Sequence, residues 1–181
     1  RHALGQLCAR LSLPGGGTVP AGYLARCPSP LAVEHLNYWL EQPGPGRQQV
    51  LVRTRTGPEG VPAIRAVLSP RYAKADHLVV LQALGRVILR YGLNVSCWAL
   101  DDEQMTLRLT VVRDHPASLD DPLRIGLHVS NSEVGLGRIA ITAFITRLVC
   151  SNGLVVRVAD LGGLQRRHIG RAGESLSQLV D

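Results

Sequence analysis

Hydrophobic and polar positions in the first part of the chain follow the spacing of helices. Apolar residues recur every three or four positions, which is typical of amphipathic helices. The pattern predicts a short helix over 4–11 and one or two turns over 20–26. A longer helix is predicted to begin with Ser29 as N-cap and Pro30 as first residue. One stripe of this helix carries Val33, Leu36, Trp39 and Leu40.

A Pro-Gly-Pro-Gly sequence at 43–46 ends the longer helix and predicts a linker. After it, the spacing changes to the alternation that is typical of strands. We therefore expect an N-terminal helical segment at 1–46 and a core domain at 47–181, the latter ending in a basic tail.

The alternating segments predict antiparallel hairpins. A turn at 57–60 separates predicted strands over 50–56 and 64–68, and an acidic turn at 101–103 separates strands over 95–100 and 105–112. In the second hairpin, the predicted buried positions are Met105, Leu107, Leu109 and Val111. Between the hairpins, Asp76 is predicted to cap a helix whose buried face carries Leu78, Leu81, Leu84, Ile88 and Tyr91.

Further strands are predicted over 123–130, over the first half of 138–150, and over 154–158. In the first of these, Ile125, Leu127 and Val129 are expected to point inward. From residue 162 the chain is polar and is expected to form a tail. The fold class predicted from these elements is α+β, with a mainly antiparallel sheet, one central helix and helices at the start.

Composition excludes two classes of protein. A hydrophobic content of 45% argues against disorder, and no apolar run reaches the roughly 18 residues of a membrane span. The chain begins with Arg1 and no signal sequence follows, so we expect a cytoplasmic piece of a longer protein. The cysteines are far apart, with no Cys-x-x-Cys pair, so we expect buried free thiols rather than a zinc site: Cys8, Cys27, Cys97 and Cys150.

The charge balance is basic and uneven. Lys and Arg number 20, Asp and Glu 14, so the formal net charge is +6, and Lys74 is the only lysine. Six basic residues and one acid lie within 47–74 (+5), whereas six acids and two arginines lie within 101–121 (−4). Such a distribution fits a polyanionic partner, or self-association of basic with acidic faces. Arginine suits phosphate, because its planar guanidinium donates two parallel hydrogen bonds.

The basic segment provides the candidate binding residues. Arg53 and Arg55 alternate with apolar residues, so both are expected on one exposed face of a strand. The other candidate phosphate contacts are Arg65, Arg71, Arg166 and Arg167. Tyr72 is the candidate for stacking on a base. Its alternative role is structural, as an aromatic residue in the core or at the end of the hairpin.

Candidate catalytic groups lack the spacing that a site requires. Acidic and histidine side chains that could serve metal or acid–base chemistry are Asp114, His115, Asp120, Asp121, Glu133 and His168. None of them has metal-ligand spacing, and we assign no catalytic residue, metal ion or cofactor.

Residues 135–140 match Gly-x-Gly-x-x-Ala with Asp160 twenty residues further on, but the predicted hairpins do not provide the strand–turn–helix unit of a dinucleotide site. The surrounding loop at 130–137 is either a phosphate-binding loop or a turn held by its own polar side chains.

Four segments occur together in one order along the core domain. They are RAVLSPRY at 65–72, followed by an acidic helix start at Asp76, VSNSEVGLG at 129–137, RLVCSNG at 147–153 and RRHIG at 166–170. In these segments the chain resembles the phage/plasmid-like proteins, a family of unknown function carried on bacterial prophages and mobile plasmids. The resemblance covers most of the chain from about residue 51 onward. It implies a genomic setting and assigns no catalytic residue.

We therefore expect a non-enzymatic nucleic-acid-binding domain that acts in recombination or replication of a mobile element. The expected partner is single-stranded DNA, and the domain is expected to form homo-oligomers and to have no membrane partner. The predicted layout is similar in outline to that of small, ATP-independent proteins that anneal single strands. Two alternatives stay open: a metal-dependent nuclease or hydrolase that uses Asp120, Asp121, Glu133 and His168, and a protein-interaction or host-defence module.

Overall fold

A computed structural model describes residues 1–11, 13, 16–42, 49–111, 115–116, 122–148 and 155–169. It contains helices together with mainly antiparallel sheets, so the predicted α+β fold class is confirmed. The chain divides into two compact units, Arg1–Tyr72 and Ala73–Asp181. Among the described residues, no helix is long and apolar enough to cross a membrane.

The first unit combines three helices with a hairpin. The helices are α1 (His2–Cys8), α2 (Ala21–Leu24) and α3 (Ser29–Glu41), and the hairpin strands are β1 (Leu51–Thr56) and β2 (Pro62–Leu68). Its core is formed by Cys8, Val19 and Leu24, with Leu36 and Trp39 of α3 packed against them. Helix α3 starts one residue earlier than predicted, with Pro28 at the N-cap position, and Val33 and Leu40 of its predicted stripe are exposed.

Helix α1 is joined to the hairpin by a specific contact. The Gln6 side chain accepts a hydrogen bond from the backbone N–H of Val67 at 2.8 Å, which satisfies a donor on β2. The hairpin therefore belongs to the same compact unit as the helices, and the boundary between the two units follows Tyr72. The sequence predicts this boundary at residue 46. The predicted linker at 43–46 lies outside the described residues.

The second unit is one helix packed on an antiparallel sheet. The helix is α4 (His77–Tyr91), and the strands are β3 (Leu93–Leu100), β4 (Met105–Val111), β5 (His115–Pro116), β6 (Pro122–Asn131), β7 (Ile139–Leu148) and β8 (Val155–Arg166). The sheet order is β3-β4-β6-β7-β8, with β5 paired to β6. Val80 and Leu84 of α4 form the core with Met105, Leu107, Leu109, Val129 and Ile139. The burial predicted for Met105, Leu107 and Leu109 is thus confirmed.

The buried face of α4 differs from the predicted one. His77, Val80 and Leu84 are buried, whereas Leu78 is 64% exposed and Tyr91 is 61% exposed. Apolar residues occupy almost every side of this helix, so their spacing alone does not determine which side faces the sheet. Leu84 and Ile88 pack in the core as predicted, but in the first turns His77 and Val80 take the buried positions expected for Leu78 and Leu81.

The later strands are longer than predicted. Strand β7 continues to Leu148, beyond the first half of 138–150 that is predicted as strand, and β8 continues to Arg166, where a polar tail is predicted. Ile125 is 41% exposed although it was predicted to point inward, because it lies beyond the part of β6 that packs under α4. Of the cysteines, Cys8 is buried as predicted, but Cys97 is exposed on the edge strand β3; Cys150 lies outside the described residues.

Candidate nucleic-acid interface

The arginines of the β1–β2 hairpin are less exposed than the sequence predicts. Arg55 is exposed, but Arg53 and Arg65 are half-buried. Arg53 is the register partner of Ala66, which is fully buried, and paired residues point to the same face of a hairpin. The stem of Arg53 therefore lies against the interior of the first unit. The prediction of a fully exposed arginine face is wrong at this position.

A bulge determines the position of Arg65. Arg53 pairs with Ala66 and the next residue, Thr54, pairs with Ile64, so Arg65 is the extra residue on β2. A bulge bends its strand and changes the direction of the side chains beside it. The alternation of residues in the sequence could not reveal the bulge, because a prediction from alternation holds only where the two strands pair without an extra residue.

Arg71 and Tyr72 lie in a turn at the end of the first unit. The backbone N–H of Tyr72 donates to the carbonyl oxygen of Ser69 at 2.9 Å, and that of Arg71 donates to the Ser69 hydroxyl at 3.2 Å. Arg71 is exposed and Tyr72 is half-buried, so only part of the tyrosine ring is accessible to a base. Arg166 and Arg167, at the end of β8 in the second unit, are both exposed.

The loop at 130–137 is held by its own polar side chains. The Asn131 amide donates to the carbonyl oxygen of Ala75 at 3.0 Å and lies 3.0 Å from Nδ1 of His77. The Ser132 hydroxyl donates to the carbonyl oxygen of Glu103 at 2.8 Å. Both side chains are almost completely buried. Within the loop itself, the Ser132 hydroxyl accepts from the backbone N–H of Leu136 at 3.2 Å. Of the two roles left open by the sequence, this bond and the contacts to Ala75 and Glu103 favour the structural turn.

Glu133 caps helix α4 from outside the helix. Its Oε1 accepts a hydrogen bond from the backbone N–H of His77 at 2.6 Å, and the carboxylate is 8% exposed. A negative charge at a helix N-terminus is stabilised by the unpaired N–H groups and the helix dipole. Asp76 occupies the N-cap position as predicted, but its side chain makes no cap hydrogen bond.

The remaining candidates for catalysis do not form a cluster that the structure describes. His168 is buried, with Nδ1 3.3 Å from the carbonyl oxygen of Ala73, and Glu133 serves as the cap. Asp114, Asp120 and Asp121 lie outside the described residues, and His115 belongs to the short strand β5. Within the described ranges, no group of three metal-ligating side chains is present. Gly135 and Gly137 connect two antiparallel strands, which is not the context of a dinucleotide site.

Sequence reasoning missed a cationic cluster on the face of the sheet opposite α4. Arg108 of β4 is the register partner of His128 of β6. Gly126 lies two residues before His128 on β6, and its partner is Phe144 of β7. A side chain at position 126 would overlap the Phe144 ring, so Gly126 provides the space in which the ring lies. We refer to Arg108, His128, Phe144 and Arg157 of β8 as the Phe144 cluster.

Two arginines share the single aromatic ring of this cluster. The guanidinium carbon lies 5.8 Å from the ring centroid in Arg108 and 5.2 Å in Arg157, both within cation–π range. Phe144 is only 3% exposed. The pKa of His128 is lowered from its ordinary value, first by partial burial and then by the charges of Arg108 and Arg157. Alternation indicated that Arg108 lies on the polar face of β4, but only the register of four strands brings the cluster together.

Comparison with known proteins finds no family model, curated protein or solved structure that matches this chain. The resemblance to the phage/plasmid-like family therefore stays a prediction.

Proposed function

We propose that this chain is a non-enzymatic nucleic-acid-binding protein whose partner is single-stranded DNA. The role that we propose for it is ATP-independent binding or annealing of single strands during recombination or replication of a mobile element. The observation that supports this best is the charge of the first unit's hairpin and the turn that follows it. Arg53, Arg55, Arg65 and Arg71 lie there with a single acidic residue, Glu59, between them.

The hairpin arginines fit a phosphate backbone better than a protein surface with specific pockets. Their charges follow a short two-stranded ribbon, and guanidinium groups bind phosphate oxygens through paired hydrogen bonds. Contacts of this kind position a strand without reading its sequence. Tyr72 is only half-buried and offers one stacking contact beside them. Arg166 and Arg167 provide further exposed positive charge in the second unit.

A salt series tests this proposal. Fluorescence anisotropy with a labelled oligothymidylate should show binding at about 50 mM salt that weakens steeply as salt increases, because bound phosphates release counterions. Binding should occur equally with and without Mg²⁺, and the DNA should stay intact. If no binding to DNA or RNA occurs at low salt, the proposal is wrong. Degradation of the DNA that depends on Mg²⁺ would instead indicate the hydrolase.

Self-association is the second part of the proposal. The +5 balance of residues 47–74 and the −4 balance of residues 101–121 give one chain two sequence segments of opposite sign, which could attract one another between copies. Light scattering at low salt should give a mass above the 19.5 kDa of one chain, and high salt should reduce it. A mass of one chain at tens of micromolar protein and low salt would contradict this part alone.

A further inference from the structure

The open face of the second unit's sheet carries a group of positive charges that the hairpin proposal does not use. Arg108 and Arg157 are exposed, and His128 lies between their strands. Arg108 belongs to β4 and Arg157 to β8, so these guanidinium groups come from strands on either side of β6 and β7. The face therefore carries positive charge on both sides of the strand pair β6–β7.

Contact with Phe144 makes these arginines more ordered than ordinary surface arginines. A long flexible side chain loses rotamer freedom when it binds a ligand, and this loss reduces the affinity. Here both guanidinium groups already lie over the ring, at 5.8 Å and 5.2 Å from its centroid. A guanidinium group that lies over an aromatic ring keeps N–H groups that can donate to phosphate oxygens.

The surroundings of the cluster favour an anion at this point. Partial burial lowers the pKa of His128 first, and the charges of Arg108 and Arg157 lower it further, in agreement with their position beside this ring. The other charged side chains on this face are Arg124, on the same strand as His128, and Asp160, which forms an ion pair with Arg157. Both side chains of that pair are exposed, and an exposed ion pair contributes little to the stability of the folded protein. A phosphate could therefore replace Asp160 as the partner of Arg157 at small cost.

We propose that the Phe144 cluster is a second phosphate-binding site, at which Arg108, His128 and Arg157 hold the backbone of a single-stranded nucleic acid on the open sheet face. This inference rests on the proposed nucleic-acid function and adds to it a surface in the second unit. Because Phe144 is covered by the two arginines, the site binds phosphate and does not stack bases.

The test compares three variants for binding of a labelled oligothymidylate. Arg108→Gln/Arg157→Gln should weaken binding on the order of tenfold and reduce the slope of log K against log salt by about 1.4, or about 0.7 per lost contact. Asp160→Asn should strengthen binding, because it removes the carboxylate that competes for Arg157. The matched control is Arg86→Gln/Arg90→Gln, which removes two exposed charges from α4 on the other side of the sheet, and its effect should be much smaller.

A measurement on the unaltered protein avoids any effect of substitution on folding. NMR titration of His128, assigned with His128→Asn, should show a rise in its pKa when the oligothymidylate is bound, since a nearby phosphate stabilises the charged imidazolium. Inorganic pyrophosphate serves as a second probe and separates a nucleic-acid site from a general anion site. The inference predicts a larger rise with the oligothymidylate than with pyrophosphate at equal phosphate concentration.

The outcomes separate this inference from the proposed function. If the unaltered protein binds the oligothymidylate and the Arg108/Arg157 variant binds equally well, the cluster is not a site and the function stands. If pyrophosphate raises the pKa of His128 but the DNA does not bind, the function fails, and the inference of a nucleic-acid site fails with it. If neither probe changes the pKa of His128, the inference is wrong whatever the hairpin does.

Discussion

The β1–β2 hairpin and the open sheet face both present arginines on antiparallel strands, but they hold them differently. In the hairpin, Arg53 and Arg65 are half-buried beside a bulge in the short ribbon. On the sheet face, Arg108 and Arg157 are exposed and supported by one aromatic ring. The hairpin was predicted as the binding surface and the sheet face was not. The comparison shows that arginines concentrated in sequence are not always the ones best placed in space.

The largest expected effect follows from filling the space beside Phe144. Gly126→Val should destabilise the second unit by about 1–3 kcal/mol, because the new side chain would overlap the ring and the backbone carbonyl of Leu109. Chemical denaturation measures the loss. Gly85→Ala in α4 is the control, since nothing lies near its new methyl group, and it should stabilise by up to about 1 kcal/mol. A Gly126→Val variant as stable as the unaltered chain would contradict the packing of the Phe144 cluster.

Removing the cap of α4 should have a slightly smaller effect on the same unit. Glu133→Ala leaves the His77 N–H without its acceptor and should cost about 0.5–2 kcal/mol of unfolding free energy, as loss of a helix cap does. Glu133→Gln keeps an oxygen at that position and should cost less. Both variants should bind DNA with nearly unchanged affinity while they are folded. If Glu133→Gln lost DNA binding or a hydrolytic activity while its melting curve stayed unchanged, the carboxylate would have a functional role and not only that of a helix cap.

The hairpin has its own binding prediction. Arg55→Ala/Arg71→Ala removes the exposed arginines of the hairpin and of the turn that follows it, and should reduce the salt slope by about 1.4. Stability should hardly change, because exposed arginines contribute little to it. The Arg86→Gln/Arg90→Gln variant is again the control. If the Arg55/Arg71 variant keeps its affinity and slope while Arg108→Gln/Arg157→Gln loses them, the sheet face alone is the binding surface.

The smallest expected effect is a pH dependence of stability at His128. The pKa of His128 in the folded protein lies below its ordinary value of 6.5, so between these two values the unfolded chain binds a proton that the folded chain does not. The free energy of unfolding therefore decreases as the pH falls below about 6.5, because protonation of His128 favours the unfolded chain. His128→Asn should lose less stability between pH 8 and pH 5.5 than the unaltered chain, as measured by urea unfolding. Equal losses in both proteins would contradict a lowered pKa of His128 in the folded protein.

The prediction was most accurate where hydrophobic alternation is regular. In β4 the alternating residues Met105, Leu107 and Leu109 are buried, as predicted, because one face of a strand in a two-layer unit must meet the helix. In α4 the apolar residues surround the helix, and the predicted face was right at Leu84 and Ile88 but wrong at Leu78 and Tyr91. For the hairpin, the strands were predicted correctly, but the bulge at Arg65 changed which arginines are exposed.

For this protein, the sequence by itself determined the α+β class, the order of the hairpins and the central helix, and the polar face of β4. These features depend on local spacing and turn residues, which act over a few positions of the chain. The tertiary structure decided the rest. It brought Glu133 to the N-terminus of α4, 56 positions away, and aligned four strands so that Arg108 and Arg157 meet over Phe144. Such contacts depend on strand register and on space left by a glycine, and neither is encoded in the spacing of one segment.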